Sequence, residues 1–149
     1  MPTRPFQFAL TPVLQIRERA VDAAREALGR AVDARASAEA DVARAEARLE
    51  DGLAAGGNGR TARQLGHAAA HRGGLARTVA EARRAAERLR ADEARARRAL
   101  ADAIRQHEAL DGLREEAARD HRLHALRVET AALDDLASAG RAASALSPS

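Results

Sequence analysis

The chain has 149 residues, is 46% hydrophobic but only 1% aromatic, contains no cysteine and carries a formal net charge of +3. Leu, Ile, Val and Phe together number 26, too few for a thick globular core, whereas Ala, Glu, Leu and Arg dominate as they do in long helices. This excludes a disulfide scaffold, thiol chemistry and a membrane-spanning helix, since no apolar run approaches about 20 residues.

Residues 1–11 read as an extended lead-in. Pro2 and Pro5 oppose helix, and Phe6-Gln7-Phe8-Ala9-Leu10 alternates as an extended segment does. No apolar leader region follows Met1, which predicts a cytoplasmic protein. Thr11 is the expected N-cap, with Pro12 at the first helical position. Residues 12–53 then form a first coiled-coil helix, about 60 Å long at ~1.5 Å per residue. Leu14, Val21, Leu28, Val42 and Leu49 recur on one heptad position, interrupted only by Arg35. Ala24, Ala31, Ala38 and Ala45 fill the companion position, a large-and-small seam for close helix packing.

Gly52-Leu53-Ala54-Ala55-Gly56-Gly57-Asn58-Gly59-Arg60 places four glycines in nine positions and predicts a reversal of the chain. Residues 54–74 are expected to hold this turn and a short tip helix. Thr61-Ala62-Arg63-Gln64 matches a capping box, and Gly73-Gly74 weakens the helical pattern again. A second, longer coiled-coil helix is expected over 75–142, about 100 Å long, with a flexible tail over 143–149. Its seam reads Leu75, Val79, Ala82, Ala86, Leu89, Ala96, Leu100 and Ile104. The phase slips near Leu110 and Leu113 and resumes as Leu123, Leu126, Leu133 and Leu136. The predicted fold is all-α, an elongated antiparallel two-helix coiled-coil hairpin. Charge agrees: residues 31–59 carry three arginines against six acids, and residues 60–105 twelve against five. Folding about the glycines sets the acidic block against the basic one.

Catalytic and metal signals are weak. His67 and His71 are four apart and His121 and His124 three apart beside Asp120, but neither pair has the remaining features of a metal motif. His107 falls on the seam. Gly-Gly-Asn-Gly lacks the lysine and preceding strand of a phosphate loop, and a two-helix rod offers no concave pocket. The expectation is a non-enzyme with no cofactor, no metal and no small-molecule substrate. Arg83, Arg84, Arg88, Arg90, Arg95, Arg97 and Arg98 could bind phosphates, but Glu87, Asp92 and Glu93 lie among them, and a solvated face paired with the acidic first helix is favoured over nucleic acid.

Phe6-x-Phe8-x-Leu10-x-x-Val13-Leu14-x-x-Arg17, continuing through Val21-Asp22-Ala23-Ala24 and Leu28, resembles the opening of the FliJ family. These are soluble components of the flagellar type III protein-export apparatus. Glu108-Ala109-Leu110-Asp111-Gly112-Leu113-Arg114-Glu115 and the segment from Glu129 through Leu133-Asp134-Asp135-Leu136-Ala137 resemble its later blocks. The resemblance implies a coiled coil similar to the central stalk of rotary ATPases. It implies binding to the hexameric export ATPase, with the helix ends in the ring's pore, and to the export gate membrane protein through the rod surface. A role with export chaperones follows too, at the inner face of the cell membrane. The family often carries aromatics near the turn, where this chain has His67, His71, Ala and Gly. The ATPase contact is expected at the end opposite the turn, from Phe6, Phe8, Leu10 and Leu14 with His121, Leu126, Leu133 and Leu136; Phe6 and Phe8 could instead fold back onto the longer second helix. The alternatives are a structural coiled-coil adaptor or rotary-ATPase stalk subunit, and a basic nucleic-acid-binding helical protein.

Overall fold

The computed structural model describes residues 5–55 and 61–145, with side chains described as far as residue 141. Two long helices pack against each other in an all-α hairpin, α1 over Thr11–Ala54 and α2 over Ala62–Ala145. The heart of the glycine-rich reversal, residues 56–60, lies outside the described residues, as do residues 1–4 and 146–149.

Both helix starts are set by local chemistry. At α2, Thr61 N donates to Gln64 Oε1 at 2.8 Å and Gln64 N donates to Thr61 Oγ1 at 3.4 Å, the reciprocal bonds of a capping box. At α1 the expected cap takes another form. Thr11 is already helical, and its hydroxyl donates back to Phe8 O at 2.6 Å instead of accepting an amide. Leu10 O accepts the first helical bond, from Leu14 N at 2.9 Å. The lead-in is thereby tied to the helix through a turn at residues 9–10.

The expected short tip helix is not separate. α2 passes through Gly73-Gly74 without a break. Each glycine costs a helix about 1 kcal/mol relative to alanine, and tertiary contact offsets it here. Residues 72–75 are half-buried, and Arg72 Nε donates at 3.2 Å to Gly52 O, a carbonyl in the last turn of α1. Gly52 has its own steric reason: a Cβ there would meet Leu75 Cδ1 at 2.8 Å.

The structure divides into two compact units, Arg19–Ile104 and Met1–Glu18 with Arg105–Ser149. In the first, Val21, Ala38 and Ala45 of α1 and Val79 and Ala86 of α2 are buried. Leu28, Val42, Leu49, Leu75 and Leu89 are half-buried, because a two-helix seam leaves each large side chain an open flank. Cross-helix pairs run in opposite directions, as antiparallel packing requires: Glu46 with Arg83 at 2.6 Å, Glu39 with Arg90 at 3.0 Å, Arg35 with Glu93 at 2.6 Å. The first two join the acidic block of α1 to the basic block of α2.

The third pair occupies the seam itself. Arg35 is the interruption in the heptads of α1, and Glu93 stands in the row Val79, Ala86, Glu93, Leu100 of α2. Glu93 is 5% exposed. Its carboxylate also takes Arg97 at 2.6 Å, while Arg35 reaches Glu39 at 3.4 Å. Arg35 Nε and Glu93 Oε2 meet as charges, without the alignment of a hydrogen bond. Glu39 and then Glu87 hold the exposed Arg90 guanidinium more firmly protonated than usual, through hydrogen bonds and charge. Within this unit one polar layer thus interrupts the apolar seam and favours a single register.

In the second unit Leu14 is buried, Arg17 Nη1 donates to Gln106 Oε1 at 2.6 Å, and half-buried His107 lies 3.7 Å from Glu18. The seam position expected for His107 is the one it takes.

Candidate functional site

The lead-in, the start of α1 and the C-terminal part of α2 lie together in the unit Met1–Glu18 with Arg105–Ser149. Phe6 folds back onto α2, its ring 5.6 Å from the His121 ring at an interplanar angle of 58°, a tilted aromatic pair. It sits over a groove lined by Arg114, Glu115, Ala118, Arg119 and Arg122. Phe8 is half-buried and Leu10 exposed, and Phe6 remains 36% exposed. Leu14, expected on the contact surface, is only 4% exposed and supports the packing beneath it.

The face of α2 turned toward this packing is defined by half-buried Leu110, Ala117, Ala118, His121 and Ala125. Beyond Ala125 every residue to Arg141 is exposed. This extension carries Leu126 at 58%, Val128, Leu133, and Leu136 at 70% exposure. At about 100° per residue, Val128 and Leu136 continue the His121 side. Leu123, Leu126, Thr130, Leu133 and Ala137 lie roughly 120–200° round from His121, on the far side of the helix. The slip near Leu113 therefore turns the apolar stripe away from the side that holds Phe6. The extension has two apolar sides, and among the described residues neither is covered past Ala125.

A match to the family described as Flagellar FliJ protein covers residues 6–144, from the folded-back phenylalanine to the end of the extension. The chain belongs to the FliJ family. Membership makes it a protein of flagellar export. No curated protein and no solved structure matches the chain.

Against this FliJ-family background, other candidate residues fall into place. Among the described residues no three of His, Asp and Glu gather as metal ligands, and no helix is long and apolar enough to cross a membrane. His67, His71 and His124 are exposed. Of the arginine-rich stretch, Arg83, Arg90 and Arg97 pair with Glu46, Glu39 and Glu93, and Arg95 pairs with Asp92. Those pairings reduce its value as a phosphate-binding surface. Exposed Val13, Ile16, Leu113 and Val128 enlarge the apolar end beyond the residues expected there. Val13 was visible in the lead-in motif and Leu113 at the phase slip; Ile16 and Val128 fall off the heptad rows, and only their exposure reveals them.

Proposed function

We propose that this FliJ-family protein is a stalk-like, non-catalytic component that engages the hexameric flagellar export ATPase through the end formed by the lead-in and the α2 extension. The observation that carries this reading is the extension itself: a helix that nothing among the described residues covers past Ala125, with exposed Leu123 and Leu126 on one side and exposed Val128 on the other. A helix packed on one neighbour needs one apolar side, whereas a helix enclosed by a ring is covered all round. Exposed Phe6, Leu10, Leu126, Leu133 and Leu136 are the aromatic and aliphatic anchors that interfaces use. The Phe6–His121 pair holds the lead-in against α2. Contacts with the export gate and export chaperones, made through the rod surface, belong to the same proposal, with a peripheral cytoplasmic location. Exposed His67 and His71 stand near the start of α2, where the family often has aromatics.

The test compares Phe6→Ala/Phe8→Ala and Leu133→Ala/Leu136→Ala with the wild type for binding and stimulation of the cognate export ATPase, after circular dichroism confirms helicity. Each double variant is expected to bind at least about tenfold more weakly, the effect of losing ~1.4 kcal/mol. Wild-type binding and stimulation by both helical variants refutes the assignment.

A further inference from the structure

We propose that the far-side stripe of the α2 extension pairs antiparallel with the same stripe of a second copy of this chain. Leu123, Leu126, Thr130, Leu133 and Ala137 follow one another at alternating steps of three and four residues, the spacing of a coiled-coil seam, and all are exposed. Thr130 Oγ1 donates to Leu126 O at 2.9 Å, which satisfies the hydroxyl within the helix and leaves the methyl for packing. The stripe faces away from the side that holds Phe6, and the described part of the lead-in, from residue 5 on, does not cover it.

The flanking charges identify the occupant. Arg122 and Glu129 lie on one flank, seven residues apart; Arg127 and Asp134 lie on the other, also seven apart. All four are exposed. In an antiparallel pair, Leu123 faces Leu133 of the second copy and Leu126 faces its Thr130. That register sets Arg122 against Glu129 and Arg127 against Asp134, and the two-fold axis repeats each pair. A parallel pair in register would set Arg122 against Arg127 and Glu129 against Asp134, like charge on like. The pattern attracts one arrangement and repels the other. The seam from Leu123 to Ala137 is only about 21 Å long at ~1.5 Å per residue. It falls short of a standard interface of about 1,600 Å², so the dimer is weak, with Kd on the order of 100 µM. Such a pairing shields Leu126 and Leu133 when no tighter partner is present and yields to one that is.

The experiment is sedimentation equilibrium of the full chain, without any ATPase, over a concentration series reaching about 1 mM, the upper end of weak affinities. The wild type should dimerise reversibly. Arg127→Glu and Asp134→Arg should each raise Kd about tenfold, because each turns two attractive pairs into two repulsive ones. An equimolar mixture of the two variants should recover wild-type association, since each reversed charge then meets its complement. A wild type that stays monomeric throughout, or an Arg127→Glu variant that dimerises as the wild type does, overturns the proposal. Neither result touches the ATPase assignment, which is measured with a different partner.

Discussion

Replacing Glu93 and Arg35 by leucine, singly and together, tests whether the seam's polar layer confers register at the expense of stability. At 2.6 Å the gross attraction between the two charges is about 6 kcal/mol for an effective dielectric of ~20. Withdrawing the Glu93 carboxylate from water takes several kcal/mol of that back. Removing one partner should therefore cost more than removing both. Glu93→Leu leaves Arg35, whose side chain is 34% exposed and still has Glu39, so the cost should be about 1 kcal/mol. Arg35→Leu strands a buried carboxylate whose remaining partner is Arg97 at 2.6 Å, and should cost about 2–3 kcal/mol. The double variant joins Leu28 to Val42 and Ala86 to Leu100 through unbroken apolar rows. It should match or exceed the wild type by up to about 3 kcal/mol. The coupling energy of the cycle is then about 3 kcal/mol or more. Thermal and urea unfolding followed by circular dichroism reads these differences, at about 2–4 °C per kcal/mol for a chain of this size. Additive single effects, or a double variant less stable than both singles, would refute the description of Arg35 and Glu93 as one buried pair.

The helix glycines give a second prediction: Gly29→Ala and Gly112→Ala, where an added Cβ meets nothing within 4 Å, should each raise stability by about 0.5–1 kcal/mol in thermal unfolding. Gly52→Ala should gain less than these, and should approach their gain in a Leu75→Ala background, because Leu75 Cδ1 occupies the space. A third contrast separates packing from contact: Leu14→Ala should cost about 2–5 kcal/mol in urea unfolding. Leu133→Ala, in the exposed extension, should shift the same measurement by no more than about 0.5 kcal/mol.

Much of this protein is written in its sequence because helices are local. Alanine-rich heptads, the Thr61–Gln64 capping box and the acidic and basic blocks determine two long helices and their antiparallel pairing through interactions a few residues apart or through simple charge order. The Phe6 to Arg17 motif likewise marks the family directly. What tertiary structure alone decided depends on which groups meet across the seam. Gly73-Gly74 ought to break α2 on propensity, yet the contact of Arg72 with Gly52 O and the packing beside Leu75 keep it continuous. Arg35 reads as a lone defect in one heptad row until Glu93, overlooked between Leu89 and Ala96, is found opposite it. The leucines of the extension are visible as letters, but their facing is not. A slip of a few residues near Leu113 rotates Leu123, Leu126 and Leu133 to the side away from Phe6, and only the three-dimensional path of the helix shows that none of the described residues covers them.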